Sequence, residues 1–240
     1  MIAFFPANQR AEINYGWVGI HQLLPPDTSG PFVDAFGNIL LVDDIGIHPG
    51  FGLDMHPHAD LEKIFIMYEG ELCHEDSQSN RLTLVPGMVQ RIVPGSGYAR
   101  KLHNMGKVLS RHIAVWLEPA AETVVPVHEV REHKAGRWKD ALFPLASGTC
   151  SLEGLGEANE GIRINSPATV YRATLGSRGV SFTVAAGCTA VLYVTDGAIL
   201  CNKVPMDKGS YAKIRGMEFV GILAPVDGDV LVIYSCGNEY

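Results

Sequence analysis

Short apolar segments, separated by turns rich in glycine and proline, recur along most of this chain and constrain its fold more than any other feature. The segments are rich in β-branched and aromatic residues and begin roughly every 8–12 residues. Clear examples are residues 63–68 (KIFIMY), 109–117 (LSRHIAVWL) and 230–234 (VLVIY). Segments of this length and spacing are typical of antiparallel sandwiches and barrels. The sequence therefore predicts an all-β fold.

A weak internal repeat indicates two such domains in tandem. Residues 66–72 (IMYEGEL) are echoed by residues 193–199 (YVTDGAI), and residues 86–89 (PGMV) by residues 208–211 (KGSY). Residues 120–140, which hold the clearest charged cluster, are the best candidate for a linker. A chain of 240 residues has room for two domains. We expect them to span residues 1–125 and 126–240.

Composition and charge argue against several classes of protein. The net charge is -7, and no basic stripe stands out, so nucleic-acid contact is not expected. The start of the chain lacks the pattern of a signal peptide, and no apolar run approaches the roughly 20 residues of a membrane span. The five cysteines are scattered and never form CxxC. We therefore expect a cytoplasmic protein, without membrane contact, whose cysteines are free, buried thiols.

The strongest indication of a binding site is the sequence His56-Pro57-His58. Side chains alternate along a strand, so these two histidines point to the same side and can aim two imidazoles at one point. A nearby carboxylate, such as Glu62, would extend this pair. The pattern predicts half of a metal site.

Several further motifs make the chain resemble the pirin family of bicupins. They are residues 14–17 (NYGW), 52–62 (GLDMHPHADLE), 68–71 (YEGE), 74–77 (HEDS), 86–90 (PGMVQ), 95–97 (GSG) and 115–119 (VWLEP). The resemblance covers nearly the whole chain. It implies two tandem cupin barrels of the double-stranded β-helix or jelly-roll type, the second being degenerate and without metal ligands. It also implies a quercetinase-like dioxygenase acting on a flavonol-like or other enolic aromatic substrate.

The resemblance implies four metal ligands, of which this chain keeps two. In the family, the HPH motif is followed by a histidine and a glutamate on the strand after Gly-Ser-Gly. Here Arg100 and Leu102 stand at those positions. Glu62 is one substitute, since the glutamate of HxH-x3-E is a ligand in many cupins outside the family, and two histidines with one carboxylate suit Fe(II). His103 is the other, but only a bulge would turn it to the same strand face.

Arg100 leaves two functions open. In the first, His56, His58 and Glu62 bind Fe(II) or another divalent metal, and Glu62 and Arg100 belong to the catalytic centre of a dioxygenase. In the second, the protein is a metal-free, non-catalytic cupin with a binding or regulatory role. Arg100, which keeps its charge at any working pH, then replaces the metal. It pairs with Glu62 or holds a small aromatic or anionic molecule, and the resemblance also implies a protein partner.

Two further histidines have no assigned role in the metal site. His74, in the hairpin after the YEGE turn, is expected to be structural or to face solvent. For His112, strand periodicity leaves open whether the side chain faces the cavity or solvent.

Overall fold

The computed structural model describes residues 1–24, 36–58, 61–95, 97–120, 125–134, 136–153, 160–176 and 178–237, and these residues are predominantly β-structure. The prediction of an all-β fold is confirmed. The chain divides into two compact units. We call the unit formed by Ala11–Ala35 and Ile39–His133 the N-terminal barrel. We call the unit formed by Met1–Arg10, Phe36–Asn38 and Lys134–Tyr240 the C-terminal barrel.

The strands of the described residues are numbered in chain order. The first twelve are β1 (Ile2–Phe5), β2 (Ala11–Asn14), β3 (Val18–Gln22), β4 (Ile39–Ile47), β5 (Gly52–His58), β6 (Glu62–Glu69), β7 (Leu72–Asp76), β8 (Arg81–Leu84), β9 (Met88–Val93), β10 (Tyr98–His103), β11 (Ser110–Leu117) and β12 (Val127–Glu132). They are followed by β13 (Phe143–Ser147), β14 (Ile162–Arg163), β15 (Ala168–Leu175), β16 (Val180–Val184), β17 (Cys188–Cys201), β18 (Val204–Asp207), β19 (Tyr211–Arg215), β20 (Glu218–Leu223) and β21 (Gly228–Cys236). A 3-10 helix spans Ala7–Gln9. In the parts of the chain that are described, no helix is long and apolar enough to cross a membrane.

The N-terminal barrel is built from two antiparallel sheets. One has the strand order β5-β10-β7-β8, and the other has the order β12-β9-β6-β11-β4-β3-β2. A shared apolar cluster contains residues of both sheets, namely Leu72, Leu84 and Leu102 from the first and Ile47 and Met67 from the second. The inner faces of the two sheets therefore pack against each other, as in a jelly roll.

The C-terminal barrel has its main strands in the order β1-β19-β17-β21-β15-β13-β14. The long strand β17 also pairs with β18 and β20, and β20 pairs with β16. Alternate residues of β17 and β21 face one large apolar cluster, among them Ala190, Leu192, Val194, Val230 and Val232. This interior is a packed hydrocarbon core, whose burial stabilises the barrel.

The observed division of the chain differs from the predicted boundary between residues 125 and 126. Strand β12 pairs with β9, from Val127 opposite Val93 to Glu132 opposite Met88, and so belongs to the N-terminal barrel. Residues 121–124 and 135 of the predicted linker lie outside the described residues. Strand β1 pairs with β19, far along the chain, and so belongs to the C-terminal barrel. Local periodicity does not reveal such long-range pairings.

Three of the five cysteines depart from the prediction of free thiols. Cys188 and Cys236 are opposite each other on β17 and β21, and Cys150 follows β13. Their Sγ atoms all lie within 4.8 Å of one another, and Cys236 is within disulfide-bonding reach of both of the others. Cys73 and Cys201 are free thiols, as predicted, although Cys73 is only half-buried. The strand register, which a scattered cysteine pattern does not indicate, brings the three thiols together.

Candidate functional site

The HPH motif lies on β5, at one end of the four-stranded sheet. An edge strand tolerates Pro57 because some of its N–H groups need no partner in the sheet. The ring centroids of His56 and His58 are 4.6 Å apart. Burial lowers the pKa of His56, and its Nδ1 atom donates a hydrogen bond to the carbonyl oxygen of Asp54 at 2.7 Å. The Nε2 atom of this neutral ring carries no proton and can accept a hydrogen bond or bind a metal.

Arg100 lies on β10, between the HPH strand and β7. The sheet register places it opposite His56 on one side and Asp76 on the other. Arg100 is only 3% exposed, and its guanidinium carbon is 3.8 Å from the ring centroid of Phe65, a cation–π contact. Its Nε and Nη1 atoms have no hydrogen-bond partner among the described residues. Burial lowers the pKa of Arg100 to about 9, so the group is still charged at neutral pH.

A second buried basic group approaches the HPH motif from β6. The Nζ atom of Lys63 contacts the Nδ1 atom of His58 and lies 3.9 Å from the ring centroid of Trp116. Burial, helped by the charge of Arg100, lowers the pKa of Lys63 to about 6. Burial also lowers the pKa of His58 to about 2, and the charges of Lys63 and Arg100 add to the effect. The sequence analysis missed Lys63, because a lysine on a strand normally faces solvent.

A group of residues around His74 extends the site along β7. The rings of His74 and His128 stack with their centroids 4.9 Å apart. The carboxylate of Asp76 accepts a hydrogen bond from the Tyr98 hydroxyl at 2.9 Å and lies 3.3 Å from Nε2 of His74. His74 is fully buried and therefore does not face solvent, one of the two positions predicted for it. The alternation of Leu72, His74 and Asp76 along one strand was the sequence signal that could have placed it inside.

His112 faces the interior of the barrel and not solvent, which resolves the alternative that periodicity left open. It is 2% exposed, and its ring centroid lies 5.9 Å from that of Phe65. Burial, followed by the charge of Arg100, lowers the pKa of His112 to about 3. Burial, with an additional effect of Arg100, also lowers the pKa of His56, His58, His74 and His128. A buried guanidinium is thus surrounded by neutral imidazoles.

The structure contradicts the prediction that Glu62 joins the two histidines. Glu62 and Lys63 are neighbours on β6, so their side chains project from opposite faces of the sheet. Lys63 contacts His58, whereas Glu62 is fully buried and accepts a hydrogen bond from Nε of Arg91 at 2.7 Å. Glu62 therefore pairs with Arg91 rather than Arg100, and its carboxylate lies on the face of β6 away from His56 and His58.

The alternative ligand His103 also lies away from the HPH motif. The pairing of β10 with β5 does shift register between Arg100 and Leu102. Leu102 nevertheless points into the apolar core, and the Nε2 atom of His103 lies 3.2 Å from the Asp54 carboxylate, on the other face of the strand. The irregularity is present, but it does not turn His103 towards the two histidines.

The residues beside the HPH motif do not fit a divalent metal ion. His56 and His58 offer two imidazoles, but Arg100 and Leu102 hold the positions of the two other ligands that the pirin resemblance implies. The charge of Arg100 repels a second cation at short range. The carboxylate that would balance a metal charge, Glu62, lies on the opposite face of β6.

A second group of potential ligands does not improve this fit. Ligand atoms of His74, Asp76 and His128 lie within 4.8 Å of one another. The Asp76 carboxylate, however, already accepts hydrogen bonds from the side chain of Asn80 and from Tyr98. The charge of Arg100 acts on both imidazoles of this group as well.

Comparisons with known proteins agree with the fold. Residues 24–117 match the pirin family model. This match shows a pirin domain over residues 24–117. The chain is 25% identical over 239 residues to a putative quercetin 2,3-dioxygenase of Pseudomonas aeruginosa, covering 97% of this chain and 99% of the relative. It is 24% identical over 235 residues to a quercetin 2,3-dioxygenase of Escherichia coli K12, covering 97% of both.

A solved structure supports the same assignment of the fold. The bacterial pirin YhhW of Escherichia coli, in complex with nickel(II), superimposes with a TM-score of 0.85 at 21% identity, covering 99% of this chain and all of that one. The predicted tandem cupin fold is thereby confirmed. The nickel ion belongs to that similar structure. The present chain has a buried guanidinium and a buried amine beside its HPH motif.

Proposed function

We propose that the N-terminal barrel binds a small organic anion, a carboxylate or an enolate, with Arg100 as its charge partner and without a metal ion. The observation that carries this proposal is the environment of Arg100. The guanidinium is buried and charged, and two of its nitrogen atoms have no hydrogen-bond partner in the described part of the chain. Burying a charge without a partner costs roughly several kcal/mol of free energy. Binding of a counter-ion inside the barrel is therefore strongly favoured.

The hydrogen-bonding groups near Arg100 suit an anion better than a cation. The Nη1 and Nε atoms of Arg100 can only donate, and a carboxylate can accept from such a fork with two oxygens. The Nε2 atom of His58 is also buried without a partner in the described residues, and the tautomer that carries its proton on Nε2 can donate to an anion. Arg100 thus supplies two fixed donors, to which His58 can add a third.

The walls of the site favour an anion that carries an aromatic group. The ring of Phe65 lies under the Arg100 guanidinium. The ring of Trp116 lies against the amine of Lys63, and its centroid is 6.4 Å from that of His58. Aromatic walls with a few directed polar groups are typical of small-molecule sites. An aromatic carboxylate or the enolate of a phenolic compound therefore matches both the charge and the surface. A regulatory role through a protein partner stays a prediction, as does a cytoplasmic location.

Calorimetric titration tests this proposal with a matched pair of ligands and a matched pair of variants. Benzoate is expected to bind, and the neutral benzamide of similar shape is not. Arg100→Met is expected to weaken benzoate binding about tenfold or more, because it removes the charged partner of a buried ion pair. Arg81→Met, which alters an exposed arginine paired with Glu75, is the control and is expected to bind as the wild type does.

The proposal fails if no carboxylate or enolate in a panel of aromatic and aliphatic anions binds in a way that depends on Arg100. A thermal-shift measurement on the same proteins adds an independent prediction. Arg100→Met is expected to melt at the same or a higher temperature than the ligand-free wild type, since it replaces an unpaired buried charge by an apolar group of similar length.

A metal-dependent dioxygenase is the second candidate, favoured by the retained His56 and His58 and by the names of the relatives. Its substrate would be a flavonol-like enolic aromatic, and its metal would be Fe(II) or another divalent ion. Oxygen uptake by protein loaded with Fe(II), in the presence of quercetin, separates the two candidates. Uptake that is lost in His56→Ala and His58→Ala supports the dioxygenase, whereas enolate binding without uptake supports the metal-free site.

A further inference from the structure

Three cysteines lie together in the C-terminal barrel. Cys188 begins β17, Cys236 ends β21, and Cys150 lies in the segment that follows β13. The first two are direct cross-strand partners in the β17–β21 pair. All three Sγ atoms lie within 4.8 Å of one another. Thiols from three distant parts of the sequence thus lie close together in the structure.

Cys236 can pair with either of the other two cysteines. The Cα–Cα distance is 5.8 Å between Cys150 and Cys236 and 4.2 Å between Cys188 and Cys236. Disulfide-bonded residues usually have Cα atoms about 4.4–6.8 Å apart, so one pair is within this range and the other is close to its lower end. A sulfur atom forms one disulfide bond at a time. The two pairings therefore compete for Cys236.

We propose that Cys150, Cys188 and Cys236 form a disulfide-exchange site, in which Cys236 is bonded to one of its two partners while the other stays a thiol. The co-reactant that oxidises the site is a small-molecule disulfide. Cys236 is the first point of attack, because it is partly exposed whereas Cys150 and Cys188 are 7% and 8% exposed.

The backbone around the three thiols is held in place, so exchange requires little more than side-chain rotation. The carbonyl oxygen of Cys150 accepts a hydrogen bond from Oγ1 of Thr169 at 2.6 Å. The N–H of Cys188 donates to the carbonyl of Ala185 at 3.1 Å, and the N–H of Cys236 donates to the carbonyl of Pro167 at 3.1 Å. Fixed thiols at short range make intramolecular attack much faster than attack by a free thiol.

The surroundings favour a neutral disulfide over a metal–thiolate centre. Cys150 and Cys188 belong to the apolar cluster of the C-terminal barrel, and Cys236 packs against it. Three thiolates around a divalent ion would leave a net negative charge against hydrocarbon, which is costly. Structural zinc sites also use four protein ligands, and within the described residues the group of potential ligands here contains three.

The chemistry is ordinary thiol–disulfide exchange. The Cys236 thiolate attacks one sulfur of the small disulfide, whose S–S bond breaks as the Cys236–sulfur bond forms; the departing thiolate takes up a proton. The Cys150 thiolate then attacks Cys236, and the second small thiol leaves. The small disulfide is thereby reduced to two thiols and the two cysteines are oxidised. Attack by Cys188 on Cys236 releases Cys150 as a thiol, with no net change in oxidation state.

The two pairings have different structural consequences. A Cys150–Cys236 bond ties the segment after β13 to the end of β21 across 86 positions of sequence. A Cys188–Cys236 bond joins two strands that are already paired and leaves that segment held by hydrogen bonds, such as those of the Cys150 carbonyl and the Leu152 N–H, without a covalent link. The exchange therefore changes what restrains residues 148–153, while the β17–β21 pair stays intact.

Disulfide mapping by mass spectrometry tests this inference on the full-length protein. Reduced, metal-free protein is equilibrated with glutathione disulfide, the remaining thiols are alkylated, and the peptides are identified. The wild type is expected to yield both the Cys150–Cys236 and the Cys188–Cys236 peptides, with one alkylated thiol of the three in each chain. Cys188→Ser is expected to yield only the first pair and Cys150→Ser only the second. Cys201→Ser, at a buried thiol outside the cluster, is the control that leaves the wild-type pattern unchanged.

Three results would overturn the inference. They are a wild type in which all three thiols are still alkylated, a wild type that yields one pair alone at every ratio of glutathione disulfide to glutathione, and anaerobically purified protein that holds stoichiometric zinc or copper on these cysteines. Because each of these is read from the wild type, a variant that fails to fold does not leave the question open.

Discussion

The two barrels share a strand arrangement but fill it with different residues. In the N-terminal barrel β6 lies between β9 and β11, and in the C-terminal barrel β17 lies between β19 and β21. The registers correspond as well, since Lys63 is opposite Ile92 and Trp116, and Ala190 is opposite Ile214 and Tyr234. Lys63 and Ala190 therefore occupy equivalent positions, one with a buried amine and the other with a methyl group.

Two further equivalent positions show the same difference. Gln90 is opposite Phe65 on β6, and Ala212 is opposite Leu192 on β17. His112 is opposite Met67, and Val230 is opposite Val194. At these positions the C-terminal barrel has apolar side chains that pack, and the N-terminal barrel has polar side chains. The proposed ligand site lies in the barrel with the polar interior positions.

Exchanging the residues at the first equivalent position should give the largest effect. Ala190→Lys places an amine in a hydrocarbon core and is expected to lower the free energy of unfolding by more than about 4 kcal/mol. Lys63→Met, which removes an amine from the polar interior, is expected to change it by less than about 1 kcal/mol. Urea unfolding followed by circular dichroism measures both. Similar losses in the two variants would mean that the interiors do not differ as described.

A smaller loss is expected from Glu62, the residue that the sequence assigned to the metal. Glu62→Gln leaves the buried Arg91 without its charge partner and should lower the free energy of unfolding by about 3 kcal/mol. Benzoate binding should stay at the wild-type level, since Glu62 lies on the other face of β6. Glu75→Gln is the matched control, because its ion pair with Arg81 is exposed, and surface pairs contribute little. Loss of benzoate binding in Glu62→Gln would contradict this account and show that Glu62 belongs to the ligand site.

The buried carboxyl of Asp43 should make the stability of the N-terminal barrel depend on pH. Burial, with a further contribution from Asp44, raises the pKa of Asp43 from 3.8 to about 7, although a hydrogen bond from Gln22 opposes the shift. The folded state therefore prefers the protonated carboxyl. The stabilisation that this proton provides is complete below the unfolded pKa and is lost as the pH rises through the folded pKa.

The wild type is accordingly expected to lose about 2 kcal/mol of stability between pH 5 and pH 8 from this group. Asp43→Asn stays neutral and should lose correspondingly less over the same range. Thermal unfolding of both proteins at several pH values measures the difference. Parallel pH profiles for the two proteins would show that Asp43 is ionised in the folded state at pH 5.

Much of the fold could be predicted from the sequence because its strands and turns are local features. The internal repeat aligned Gly70 with Gly197 and Gly87 with Gly209. The structure gives the first pair φ values of 66° and 68° and the second pair 92° and 88°, a backbone conformation that glycine adopts freely. The repeat thus marked equivalent turns of two similar barrels. The boundary was less predictable, because the pairings of β1 and β12 join distant parts of the chain.

The candidate site was predictable only where a single strand determined it. Alternation correctly placed His56 and His58 together, since both lie on β5. Alternation along β5 does not continue into β6, because the strand ends between them. The sequence therefore did not indicate that Lys63, and not Glu62, has the inward position on β6. The roles of His74 and His112 depended on which face of each strand is buried, and this follows from the packing of two sheets.

The metal content of the protein tests the central claim most directly, that Arg100 takes the place of a metal ion in this protein. The wild type, His56→Ala and the double variant Arg100→His with Leu102→Glu are loaded with Fe(II) under anaerobic conditions, passed through a desalting column and analysed by mass spectrometry for iron. We expect almost no iron in the wild type and close to one ion per chain in the double variant, which restores the two ligands that the resemblance implies. One iron per chain in the wild type, lost in His56→Ala, would contradict the claim.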